Sequence, residues 1–166
     1  MKPALLVIDV QKDSFKLNAT AEHTLGRAMG LINLSMETFR NRKLPVVIVR
    51  HINEEQGFAP GNEDYEFPPS LAIDESDIYI QKRYGNAFNK TSLASTLKSL
   101  NVDTIFITGF CAEICVLSTY RGAEDEDLTP ILIRGALGSG NLDNLAFVES
   151  IHNTLTYDAT KAILAK

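Results

Sequence analysis

The sequence predicts a three-layer α/β/α fold around a parallel sheet, and three observations lead there. A continuous apolar run at 4–8, and the short β-branched segments 46–49 and 104–108, have the length and content of strands covered on both faces. Residues 20–42 repeat apolar side chains at helical spacing through Leu25, Met29, Ile32, Met36 and Phe39. Strand-like and helix-like segments then alternate along the chain. Such alternation implies parallel neighbours, which need crossover connections, and those are right-handed.

Each element follows in order. The run 4–8 lies between Pro3 and a polar stretch at 11–14, so Asp9 stands at its carboxyl end. The long amphipathic helix at 20–42 is stopped by Leu44-Pro45. Residues 46–49 form the second strand, and the segment 51–69, with Gly57, Pro60, Gly61 and Pro68-Pro69, reads as an irregular loop. A third strand is expected at 77–81, a helix at 91–100 and a fourth strand at 104–108, which ends at Gly109. Residues 112–123 look helical, 130–133 make a fifth strand, and 142–157 a further helix. Ligands of open α/β sheets bind beyond the carboxyl ends of the strands, where Asp9, Lys82 and the turn from Gly109 to Cys115 are expected.

Composition narrows the function classes. A chain of 166 residues suits one domain over 1–166, and its 45% apolar and 22% charged residues are ordinary for a globular protein. A net charge of -5 with scattered basic residues disfavours nucleic acid as a partner. No apolar run is long enough to cross a bilayer, and the first residues lack the pattern of a secretory signal, so a cytoplasmic location is expected. Two cysteines four positions apart do not make a disulfide framework.

Those cysteines carry the chemical interest. Cys115 follows a strand, a glycine turn and the opening of a helix. There the first amides lack internal partners and the dipole favours a thiolate, while the same N–H groups suit an oxyanion. Buried cysteines are also common apolar filler, and this reading stays open for Cys115 and more so for Cys111. Asp9 suits a proton acceptor for a thiol, or simply a turn cap. Lys82 suits a counter-charge, or a solvated surface residue. The chain has no Gly-x-Ser-x-Gly, its histidines His23, His51 and His152 are far apart, and neither His-x-x-x-His nor Cys-x-x-Cys occurs. Neither a metal nor another cofactor is therefore expected, although His51 too follows a strand.

Three separated pieces, Leu5 to Gln11 (LLVIDVQ), Ile80 to Phe88 (IQKRYGNAF) and Thr108 to Val116 (TGFCAEICV), resemble the isochorismatase-like cysteine hydrolases. The resemblance implies a parallel, roughly six-stranded sheet and places the family's catalytic aspartate, lysine and nucleophile on Asp9, Lys82 and Cys115. It also implies a cis peptide between Phe110 and Cys111, with the amides of Cys111 and Cys115 as oxyanion donors. Family members commonly form homo-oligomers. The chain departs from the family at Ala112 and Glu113, where threonine and aspartate are usual, and at Gly135, which aligns with an aspartate ending the fifth strand.

The expected activity is hydrolysis of a small amide or carbamoyl-type substrate through a thioester. The metal ligands of the family's nicotinamidases have no counterpart in Arg50-His51-Ile52-Asn53, and Cys115 argues against vinyl-ether cleavage. Phe15, Tyr84, Phe88, Phe110 and parts of the 51–69 loop are expected to line the substrate pocket. Two other readings stay open: a redox or thiol-sensing protein using Cys111 and Cys115, and a catalytically idle homologue that serves as a binding module.

Overall fold

The computed structural model describes residues 1–165; Lys166 lies outside the described residues, so the domain expected over 1–166 is followed to residue 165. Its framework is a six-stranded parallel sheet: β1 (Pro3–Ile8), β2 (Val46–His51), β3 (Ile78–Lys82), β4 (Thr104–Gly109), β5 (Thr129–Leu137) and β6 (Thr154–Leu155), in the order β3-β2-β1-β4-β5-β6. β1 lies mid-sheet because every one of its residues is buried, pairing Leu5 with Val46 on one side and with Phe106 on the other. Full burial of such a side chain contributes about 1.5–3 kcal/mol, which favours the most apolar run for the most covered place.

Alternation along β1 divides the core. Ala4, Leu6 and Ile8 pack with α3 (Leu93–Ser99), α4 (Leu117–Asp125) and α5 (Leu142–Ile151), whereas Leu5 and Val7 face α2 (Ala19–Asn41). The side chain of Asn18 caps α2 by accepting from Ala21 N–H at 2.8 Å. Helix α6 (Tyr157–Leu164) lies on the α2 side, where Tyr157 OH and Thr38 Oγ1 are 2.9 Å apart.

The structure revises the expected elements in four places. A short helix, α1 (Lys12–Lys16), occupies the polar stretch after β1. Residues 112–116 form a π-helical turn before α4, rather than its first α-helical turn. β5 runs on to Leu137, with a register shift opposite Ile107 and Gly109, and Gly135 turns its amide to Glu149 Oε1 at 3.0 Å. The helix expected at 142–157 ends at Ile151: His152 is extended, and Thr154 pairs with Leu132 to start β6.

In this strand order the chain winds outward in both directions from the gap between β1 and β4. Crevices beyond the carboxyl ends of strands form at such switch points. β1 and β4 end there at Ile8 and Gly109, which pair in register, and Phe110 N–H donates to Ile8 O at 2.8 Å. Gly109 has φ +115°, and a Cβ on it would meet the Ile8 backbone, including its nitrogen at 2.6 Å. Only glycine fits this approach.

Candidate active site

Three strand ends bring Asp9, Lys82 and Cys115 together. Asp9 follows β1 at φ +50°, a conformation aspartate tolerates better than most residues. Its N–H donates to Val49 O at 3.0 Å and its carbonyl accepts from Ser14 Oγ at 2.8 Å, which fixes the backbone that carries the carboxyl. Lys82 ends β3, where it pairs with His51 of β2, yet its side chain reaches the far side of β2. Lys82 Nζ is 2.6 Å from Asp9 Oδ2 and 3.3 Å from Cys115 Sγ, and the lysine is 1% exposed. Asp9 Oδ1 is buried with no hydrogen-bond partner among the described residues. A carboxyl oxygen in that position is free to accept a proton.

Ionisation follows from this burial. Desolvation raises the Asp9 carboxyl above its ordinary value, and Lys82 holds it back. The Cys115 thiol is pushed up to about 12, first by burial and then by the Asp9 charge, with Lys82 opposing. The thiolate stabilisation expected from a helix start is thus corrected: Cys115 lies within the π turn, where burial and the neighbouring Asp9 charge raise its thiol. The resting sulfur is a thiol, which needs a base. His51 is lowered, by burial and then by Lys82, so it is neutral near pH 7; its Nδ1 has no partner among the described residues.

The turn from β4 to α4 carries the amides of Cys111 and Cys115. The Phe110–Cys111 peptide is cis. Ala112 N–H donates to Gly138 O at 2.9 Å, and Ile114 and Val116 N–H both donate to Cys111 O at 3.1 Å. The Cys111 and Cys115 amides donate to no group outside the turn among the described residues. Glu113 braces the turn from outside the cavity. Its carboxylate accepts from Ser139 Oγ at 2.7 Å, Asn144 Nδ2 at 3.1 Å and Cys111 Sγ at 3.0 Å. Although burial opposes it, the bonds from Cys111, the backbone, Asn144 and Ser139 lower the Glu113 pKa. Burial, and then the bond to Glu113, pushes the Cys111 thiol up to about 12.

A cavity of about 360 Å³ opens over these groups. Asp9, Cys111 and Cys115 form its floor, and Leu17, Phe58, Phe110 and Ile114 its apolar walls. Of the aromatic residues expected there, only Phe110 lines it. Phe15 packs under α2 and borders a separate depression, Phe88 is buried among α3 and α4 side chains, and Tyr84 turns outward to Lys90 Nζ at 3.2 Å. His51 and Phe58, from the 51–69 segment expected to contribute, line it as well, and Gln11 is an addition to the expected set. Gln11 accepts from His51 N–H at 2.8 Å and donates to His51 O and Tyr65 O at 3.1 and 2.7 Å, clamping the 51–69 loop onto β1. Its place two positions beyond Asp9 was the available sequence signal. A larger groove, about 770 Å³, lies at the opposite edge of the sheet between α3 and the turn after α4, and among the described residues no cysteine lines it.

Among the described residues, no three His, Cys, Asp or Glu side chains cluster as metal ligands, and no helix is long and apolar enough to cross a membrane.

Comparison with known proteins agrees with this fold. A family model described as "Isochorismatase domain" matches residues 3–152. The chain is 28% identical over 158 residues to the uncharacterized isochorismatase family protein YddQ of Bacillus subtilis, covering 92% of this chain and 88% of that protein. It is 30% identical over 90 residues to the ureidoacrylate amidohydrolase RutB of Methylobacterium radiotolerans, covering 54% of this chain and 35% of that protein. The crystal structure of N-carbamoylsarcosine amidase from Thermoplasma acidophilum superposes with a TM-score of 0.82 at 24% identity, covering 95% of this chain and 98% of that one.

Proposed function

The chain belongs to the isochorismatase family of hydrolases, and we propose that it hydrolyses a small amide or carbamoyl-type C–N bond with Cys115 as nucleophile and no metal. The observation that carries this reading is the triad, in which buried Lys82 Nζ lies 2.6 Å from buried Asp9 and 3.3 Å from the half-buried Cys115 sulfur. Asp9 takes the thiol proton as sulfur attacks the carbonyl carbon, so a thiol with its pKa near 12 reacts without being ionised in advance. The raised pKa of Asp9 strengthens it as a base. Lys82 keeps Asp9 ionised in the resting site and balances the charge passing between carboxylate and sulfur.

The amides of Cys111 and Cys115 receive the oxyanion. Collapse of the tetrahedral intermediate breaks the C–N bond, and Asp9 returns the proton to the departing ammonia or amine. Water, deprotonated by Asp9, then cleaves the thioester, releasing the acid and restoring the thiol. The amidohydrolase and amidase among the similar proteins support an amide-type substrate. A redox role for Cys111 and Cys115 draws no support from thiols that burial holds protonated, since the thiolate is the reactive form.

Ammonia release from a panel of small primary amides and carbamoyl compounds, with the acyl-enzyme trapped and weighed by mass spectrometry, tests the assignment. Cys115→Ala is expected to abolish both signals. Turnover at the wild-type rate in that variant would remove Cys115 from the mechanism.

A further inference from the structure

The charges around the cavity are unevenly placed. Among the described residues no lysine or arginine lines it, and the cation beneath it, Lys82, is paired with Asp9. The neighbouring cations are also engaged: Lys12 with Glu63 at 3.1 Å, Lys16 with Asp64, Arg50 with Glu66 at 3.5 Å, and Arg83 with Glu54 at 2.9 Å. Arg50 Cζ also lies over the rings of Tyr65 and Phe67, at 4.6 and 4.1 Å from their centroids. Asp13, which does line the cavity, has no ion-pair partner among the described residues; its Oδ1 lies 3.4 Å from Ser14 Oγ. His51, the remaining titratable group on the wall, is neutral near pH 7.

The apolar side of the cavity is the part left open. Leu17 and Ile114 are 60% and 57% exposed at its mouth, with Phe58 and Phe110 deeper in. A substrate carrying an apolar group would cover surface that water now wets. A substrate carrying a carboxylate would lose hydration and find Asp13 instead of a cation.

Resting on the amide-hydrolase reading, we infer that this site selects amides whose acyl group is small, uncharged and apolar, and rejects those that carry a carboxylate. Leu17, Phe58, Phe110 and Ile114 supply the attraction, and Asp13 the discrimination. This sets the chain's substrate class apart from acids such as the ureidoacrylate named for one of its relatives.

A pair of amides matched in shape measures the preference: 4-methylpentanamide, which ends in two methyl groups, and succinamate, which ends in two carboxylate oxygens. Ammonia release should give a kcat/KM at least tenfold higher for 4-methylpentanamide, and Asp13→Asn should shrink that ratio. The corresponding aldehydes, 4-methylpentanal and 4-oxobutanoate, separate recognition from hydrolysis. The Cys115 sulfur adds to the aldehyde carbon and the thiol proton ends on its oxygen, so each aldehyde protects Cys115 from iodoacetamide without any C–N bond breaking. The neutral aldehyde should protect at concentrations at least tenfold lower. If that ranking holds while neither amide is hydrolysed, the amide-hydrolase reading fails and the charge preference stands. Equal protection, or better protection by 4-oxobutanoate, overturns the preference whether or not amides are turned over. An unchanged ratio in Asp13→Asn removes Asp13 from it.

Discussion

Lys82 Nζ lies 2.6 Å from Asp9 Oδ2, although the strands that these residues end, β3 and β1, are separated by β2. Both side chains are almost wholly withdrawn from water, at 0% and 8% exposure. The pair is therefore held by reciprocal need as much as by attraction, since either charge left alone would be buried and uncompensated.

Removing one partner should accordingly cost more than removing both. Lys82→Met is expected to lower stability by about 3–5 kcal/mol, the usual range when a buried pair is broken. Combining it with Asp9→Asn should restore more than about 1 kcal/mol of that loss. Urea unfolding of the two single variants and the double variant measures the coupling; strict additivity would contradict a buried ion pair.

The Cys115 thiol should alkylate slowly in the resting protein. With its pKa pushed up to about 12, its reaction with iodoacetamide near pH 7.5 should be slower than that of a free cysteine, whose pKa is about 8.5. Asp9 raises the thiol pKa and Lys82 lowers it. Asp9→Asn should therefore move the alkylation midpoint to lower pH while hydrolysis falls by at least about a hundredfold. Mass-resolved alkylation across pH checks the first effect and ammonia release the second.

Activity should have an acid limb set by Asp9. The carboxyl must be ionised to take the thiol proton, and burial raises its pKa above 3.8. As pH falls through that raised value, Asp9 binds a proton and kcat/KM declines. Lys82 lowers the Asp9 pKa, so the residual activity of Lys82→Met should show its acid limb at higher pH than the wild type. A shift in the other direction would rule out Asp9 as the group responsible.

Glu113 should act on rate through position. Its carboxylate ties Cys111, Ser139 and Asn144 together, and each bond to a charged group is worth about 1.5–3 kcal/mol. Glu113→Ala should lower the melting temperature and reduce kcat more than it alters KM, because in the proposed mechanism the displaced amide of Cys111 serves the oxyanion rather than the ground state. Glu113→Gln, which keeps an acceptor, should recover part of kcat. Steady-state kinetics beside thermal unfolding distinguishes this from a purely structural role.

Gly109→Ala should be among the most damaging single-methyl additions. The new Cβ would run into the Ile8 backbone at a φ of +115°, and backbone at mid-sheet has little room to move. The expected result is a loss of soluble protein, or a large fall in the urea midpoint in whatever folds.

Much of this arrangement was legible in the residues. A buried strand needs a continuous apolar run, so 4–8 announced β1 and placed Asp9 at its end; the periodicity of 20–42 did the same for α2. What escaped notice depends on contacts distant in the chain. Leu155 and Tyr157 continue a plausible helical spacing, and only the pairing of Thr154 with Leu132 reveals β6, because a two-residue strand has no period of its own. The aromatic side chains were harder still. Nothing local distinguishes Phe88, buried against α3 and α4, from Phe58, which walls the cavity. The ionisation of Cys115 reversed expectation for the same reason: a helix start is visible in the sequence, whereas the burial of the sulfur and its approach to Asp9 are products of the whole sheet.

The sheet order has a consequence for synthesis. Position 9 leaves the ribosome early, position 82 midway and position 115 late, and the groups at all three meet only when β1 has acquired β2 on one flank and β4 on the other. A nascent chain that ends before position 115 lacks the sulfur, and no segment shorter than 9–115 spans all three groups. Recovery of catalysis during refolding should consequently lag behind recovery of helical signal, making hydrolysis itself a late clock for completion of the chain.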